Sequence, residues 1–123
     1  MNIKYNIPTD VSEPTKRFMK QVVGMLKDLE LIKGADEGAL NILCYMYDNF
    51  LKAQEDIKAK GILIETSRGK SVNPSVNVSG MCATQIIKLL REFGLSAKAR
   101  ASLNKMEDVE EESPLEAFIR NDI

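Results

Sequence analysis

The chain has 123 residues, a net charge of −1, and neither histidine nor tryptophan. This length suits one domain with a core that needs no disulfide or metal, and 44% hydrophobic with 28% charged residues is an ordinary globular composition. Without histidine the chain lacks the commonest general base and transition-metal ligand, and two cysteines cannot build a four-ligand zinc site. We therefore expect no catalytic site, no metal and no cofactor.

The sequence shows no sign of export or membrane insertion. No apolar run reaches the roughly 18 residues of a membrane-spanning helix, and Met1 to Asp10 lacks the pattern of a signal peptide. Cys44 and Cys82 lie in apolar surroundings, which favours buried free thiols in a reducing cytoplasm over a disulfide between them.

Charge is unevenly distributed along the chain. Between Lys58 and Lys105 there are nine basic residues and only Glu65 and Glu92 as acids, whereas residues 107–123 carry seven acids against Arg120 alone. A basic stretch followed by an acidic tail indicates two different partners, although both could equally be solvated surface.

The N-terminal part of the chain predicts an irregular arm and two helices. Residues 1–11 form the arm, the first helix runs from about Ser12 to Lys33, and the second runs from about Asp36 to Lys60 with Gly61 as its stop. The apolar positions of the first helix are Phe18, Val22, Met25 and Leu29.

A short β signal follows the second helix. Ile62 to Ile64 is apolar, Ser67 to Lys70 is typical of a turn, and a second short strand is expected to end at Val72. Gly69-Lys70-Ser71 is similar to the end of a phosphate-binding loop, but Ile64 stands where that loop needs its first glycine. A small hairpin with basic residues at its tip explains the segment better.

The C-terminal half predicts three further helices. Asn73-Pro74 starts the third helix, which ends at Gly94, and a short fourth helix runs from Ser96 to about Lys105. The apolar face of the third helix is Val78, Cys82, Ile86, Leu89 and Phe93. After an acidic linker, Ser113-Pro114 starts a short helix whose apolar face is Leu115, Phe118 and Ile119. The expected fold is therefore mainly α: a four-helix domain with a β-hairpin-like insertion between helices 2 and 3, plus a C-terminal helix on an acidic linker.

Exposed cations on helices 3 and 4 are the leading candidates for phosphate contact. Lys88 and Arg91 share a face, and Lys98 and Arg100 follow across the Gly94 turn. Pairing of Arg91 or Arg100 with Glu92 is the structural alternative. A second candidate surface is Lys16, Arg17 and Lys20 on the first helix.

The order of several motifs resembles the small subunit of tailed-phage terminases. The similarity covers about residues 18–120, and its features are a long helix, Gly61-Ile62-Leu63-Ile64, Asn73-Pro74, Glu92-Phe93-Gly94-Leu95-Ser96, Arg100, and Pro114-Leu115-Glu116-Ala117-Phe118. Family members often have proline in place of Ala97, and often a basic, Pro-rich N-terminal arm that is weak here.

The resemblance implies a non-catalytic protein that forms rings, binds viral double-stranded DNA near its packaging start and regulates the large terminase subunit, which carries the ATPase and nuclease. It divides the chain into an arm (residues 1–11), a helical oligomerisation and DNA-binding domain (12–105), and a linker and helix that contact the large subunit (106–123). The location implied is the host bacterial cytoplasm. Two other readings stay open: a helical transcription regulator and a non-catalytic helical interaction protein.

Overall fold

The computed structural model describes residues 5–32 and 35–95. These residues form three helices and one hairpin: α1 (Glu13–Asp28), α2 (Glu37–Lys60), β1 (Leu63–Thr66), β2 (Gly69–Val72) and α3 (Pro74–Glu92). The predicted mainly helical fold with a hairpin between helices 2 and 3 is confirmed. The fourth helix, the acidic linker and the C-terminal helix lie outside the described residues.

The long helix α2 and the helix α3 form an antiparallel pair joined by the hairpin. Asp36 caps α2 by accepting a 2.7 Å hydrogen bond from the Gly38 amide, and Gly61 ends the helix at a φ of 89°, a backbone conformation that favours glycine. Asn73 caps α3 through its side chain, which accepts from the Ser75 amide at 3.0 Å. The sequence predicted both helices within a residue or two of these bounds.

The helix α1 ends earlier than its sequence predicts. It stops at Asp28, and the chain reverses through Glu30, whose φ is 58°. The Leu31 amide then donates to the Leu26 carbonyl at 2.7 Å and the Glu30 amide to that of Lys27 at 3.1 Å. These two bonds satisfy the last carbonyls of the helix in the pattern of a Schellman motif, which requires no glycine when another residue accepts the left-handed conformation.

The core lies where all three helices meet. Phe18 of α1 stacks on Tyr47 of α2 with ring centroids 3.9 Å apart, and Ile86 and Leu90 of α3 are fully buried beside them. The predicted apolar positions of α1 all contact the core, Met25 and Leu29 being partly buried, but the prediction omitted the buried Met19 and Leu26. On α3 the prediction is wrong at Val78, which is exposed. The buried face of α1 is therefore centred about one residue away from the apolar face that its spacing predicts.

The N-terminal arm lies along α2. Two side-chain hydrogen bonds join them, from Tyr5 to Asn41 at 2.7 Å and from Tyr45 to Asp10 at 2.8 Å. At the end of the arm, the Ser12 hydroxyl donates to Asp48 at 2.9 Å. The pKa of Tyr5 is raised to about 12, chiefly by burial. At neutral pH its hydroxyl therefore keeps its proton and donates the bond to Asn41. The described part of the arm is therefore attached to the helical domain.

Candidate nucleic-acid interface

The two leading cations on α3 are exposed. Lys88 and Arg91 stand three residues apart and share a face, while Ile86 and Leu90 turn into the core. Neither cation forms an ion pair among residues 5–32 and 35–95, so Arg91 does not pair with Glu92. Within those ranges no carboxylate competes with an external anion for either side chain.

On the second candidate surface, on α1, one of the three cations already forms an ion pair. Arg17 and Lys20 are exposed and have no ion pair within the described chain, but Lys16 is half-buried and its Nζ lies 3.2 Å from Oε1 of Glu13. Contact between Lys16 and a phosphate would compete with that pair. Arg17 and Lys20 are therefore the stronger members of this group.

The C-terminal ends of α1 and α3 meet. A short connection brings the end of α1 to the start of α2, and a Cβ placed on Gly94 would lie 3.0 Å from Cδ1 of Leu31. Arg91 therefore lies at the end of the domain where α1 terminates. Lys98 and Arg100, which were predicted to extend this cationic group, lie outside the described residues.

A third basic group was not selected from the sequence. Lys58 and Lys60 end α2, and Arg68 and Lys70 lie in the hairpin that follows it; all four are exposed. Lys60 is paired with Asp56 at 3.0 Å. The excess of basic residues after Lys58 was the available signal, but only the hairpin connection places these side chains at the same end of α2.

Two carboxylates, those of Asp48 and Asp56, have lowered pKa values and accept hydrogen bonds from neighbouring elements of the fold. Burial would raise the pKa of Asp48, but hydrogen bonds from the Ser12 amide, the Thr15 and Ser12 hydroxyls and Lys52 outweigh it and lower the pKa to about 2. Asp56 accepts a 2.7 Å bond from the Ser75 hydroxyl, the largest cause of its lowered pKa. Asp48 thus joins α1 to α2, and Asp56 joins α2 to the start of α3.

Both cysteines are buried, and burial disfavours their thiolate forms. Cys44 and Cys82 are free thiols, as expected. Burial raises the pKa of both, that of Cys44 to about 11, with smaller contributions from Asp48 and Asp10. Both side chains are therefore protonated thiols at neutral pH. Within the described ranges, no three His, Cys, Asp or Glu residues come together as a metal site.

These features describe a small helical protein with exposed cations and an exposed hairpin. None of its described helices is long and apolar enough to cross a membrane. The model of the family described as phage terminase, small subunit, matches residues 16–110. The chain therefore belongs to the phage terminase small subunit family, which assigns it to phage DNA packaging. No curated protein and no solved structure matched the chain.

Proposed function

We propose that this protein binds viral double-stranded DNA where packaging begins and regulates the large terminase subunit, the ATPase and nuclease, in the host bacterial cytoplasm. The observation that carries the DNA-binding part is that Lys88 and Arg91 on α3 are exposed and form no ion pair with any residue that the structure describes. Membership of the terminase small subunit family supports the packaging role. The protein contributes recognition and regulation, and its partner contributes the chemistry.

Binding through Lys88 and Arg91 is electrostatic and weakly selective for sequence. Cations that neutralise phosphates release condensed counterions, so affinity falls steeply with salt. Such contacts position a protein on the duplex without reading base edges. Lys98 and Arg100 follow in the sequence and would add two further phosphate contacts.

The salt dependence of binding distinguishes the candidate surfaces. We expect the double variant Lys88→Ala/Arg91→Ala to lower the slope of log affinity against log salt by about two units, since each lost phosphate contact removes about one. Arg17→Ala/Lys20→Ala tests α1 in the same way. Lys58→Ala/Arg68→Ala tests the third basic group, at the hairpin end of α2, by the same measurement.

Each result has a definite meaning. If only the α1 variant changes the slope, the interface is on α1 and the assignment to α3 is wrong. If the wild-type protein does not bind DNA at moderate salt, the proposed DNA-binding function is wrong. A non-catalytic helical interaction protein then becomes the better interpretation.

Residues 12–105 are proposed to assemble into a ring around or beside the DNA. Large exposed apolar side chains support association, since Ile42, Ile62 and Met81 are each more than half exposed. Native mass spectrometry tests this at micromolar concentration. A ring of more than four subunits supports a terminase subunit, whereas a dimer bound to half-site DNA would indicate a transcription regulator.

Residues 106–123 are proposed to contact the large subunit. The acidic linker is unsuited to phosphate contact, and the spacing of Leu115, Phe118 and Ile119 predicts one apolar helix face, the usual form of a helix that binds in a groove. Deletion of residues 107–123 is expected to preserve assembly and DNA binding while stimulation of the partner's ATPase falls. Failure of the truncated chain to assemble would contradict the docking role.

A further inference from the structure

The hairpin between α2 and α3 exposes apolar surface on a very small sheet. Each strand has four residues, and no residue of either strand is buried. Leu63 and Val72 face each other across the strands and are 55% and 48% exposed. An isolated two-stranded sheet is marginal in water and is stabilised by a third strand or by packing against a helix, so a further strand at either edge would stabilise this hairpin.

The register shows which backbone groups point outward. Thr66 pairs with Gly69 across the two-residue turn, and the Asn73 amide donates to the Ile62 carbonyl at 2.7 Å at the other end. Antiparallel strands alternate hydrogen-bonded and non-hydrogen-bonded pairs. The pairs Leu63–Val72 and Glu65–Lys70 are therefore non-hydrogen-bonded pairs. Their amides and carbonyls point to the outer edges of the hairpin.

We propose that β1 of one subunit pairs with β2 of the next in the same register, so that Glu65 meets Lys70 of its neighbour and Leu63 meets Val72. Charge complementarity favours this occupant: β1 carries an acid and β2 a base at the positions whose backbone groups point outward. Pairing of β1 with β1, or of β2 with β2, would bring together two edges of the same charge and offer neither Glu65 nor Lys70 an opposite charge. In the described chain neither Glu65 nor Lys70 forms an ion pair.

Such pairing is head-to-tail, because two different edges meet. Head-to-tail contacts close into rings when the rotation between subunits allows it. If every hairpin points the same way about the ring axis, β1 and the neighbouring β2 run antiparallel. The hydrogen bonds between subunits then join the same residue pairs, in the same register, as the strands within one hairpin. Leu63 and Val72 of all subunits then line one face of the continuous sheet. This inference rests on the proposed ring and names the edge through which it closes.

Charge reversal tests the pairing. We expect Glu65→Lys alone and Lys70→Glu alone each to raise the concentration for half-assembly about tenfold, because each places like charges at every junction. Mixing the two variants should restore assembly, since every Glu65→Lys chain then meets a Lys70→Glu chain. Native mass spectrometry should show the two chains in equal numbers. Within each variant the hairpin keeps its own like-charge pair, so recovery on mixing can only come from contacts between subunits.

The controls separate the possible failures. Ser71→Glu, which changes charge on the opposite face of β2, should assemble like the wild-type protein, and circular dichroism of each variant checks that the helices are intact. Wild-type-like assembly of both single variants, or no recovery on mixing, overturns the hairpin pairing. A wild-type protein that stays monomeric at micromolar concentration overturns the ring itself, and binding of DNA is measured separately from both.

Discussion

The Thr15 hydroxyl donates a 2.7 Å hydrogen bond to Oδ1 of Asp48 across the interface between α1 and α2. The same oxygen also accepts from the Ser12 amide at 3.0 Å, so a carboxylate on α2 satisfies a backbone donor at the start of α1. Ser12 itself makes no side-chain cap. The N-terminus of α1 is therefore capped from a neighbouring helix rather than from its own sequence.

Replacement of Asp48 is expected to be costly. Asp48→Ala leaves the Ser12 amide and the buried Thr15 hydroxyl without their acceptor, and an unsatisfied buried donor costs roughly 1–3 kcal/mol. We expect urea denaturation to show a loss of about 2–3 kcal/mol in the free energy of unfolding. Asp56→Ala, at a more exposed carboxylate with a similar role, is the control and should cost less. Equal losses would mean that burial of Asp48 adds nothing.

Stability should depend on pH through the same carboxylate. The pKa of Asp48 is about 2 in the folded protein against 3.8 ordinarily. Because the folded value is the lower one, the stabilisation is present above pH 3.8 and is lost as the pH falls towards 2; it amounts to on the order of 2 kcal/mol. Denaturation measured from pH 6 to pH 2 should therefore show a steeper decline for wild type than for Asp48→Asn. Parallel curves would contradict the assignment to Asp48.

The aromatic stack between Phe18 and Tyr47 should be central to stability. Phe18 is 4% exposed, and its truncation leaves a cavity between α1 and α2. We expect Phe18→Ala to lower the free energy of unfolding by about 3 kcal/mol or more and Phe18→Leu by less, since leucine fills more of the space. Val78→Ala, at an exposed apolar residue of α3, is the control. A small effect of Phe18→Ala would show that α1 contributes little to the cooperative unit.

Gly94, just beyond the end of α3, and Gly80, inside it, should respond to alanine with opposite signs. Gly94 has a φ of 82°, and an added Cβ would lie 3.0 Å from Leu31, so Gly94→Ala should destabilise by about 1–2 kcal/mol. Gly80 lies inside the helix with open space where a Cβ would be, so Gly80→Ala should stabilise by about 0.5–1 kcal/mol. Thermal melting of both variants checks this. If Gly80→Ala instead weakens assembly while the fold is stable, that face of α3 lies in a subunit contact.

The sequence determined the features of this protein that depend on neighbouring residues. Asn73-Pro74 predicts the start of α3, Gly61 and Gly94 predict the two helix ends, and the turn before Gly69 predicts the hairpin, because caps and turns are satisfied within a few residues. Residues 88 and 91 could likewise be placed on one helix face from spacing alone. The family resemblance was readable from the same motifs, and the family match confirms it.

Only the tertiary structure decided which side chains are used inside the domain. Nothing near Asp48 in the sequence indicates that it caps α1, because Ser12 and Thr15 are more than thirty residues away. Likewise, within residues 5–32 and 35–95, Lys88 and Arg91 have no ion-pair partner, whereas Glu13 pairs with Lys16. The helical period gives the direction of a side chain to within a wide arc, but burial and pairing depend on distant segments, and these are brought together only when the helices pack.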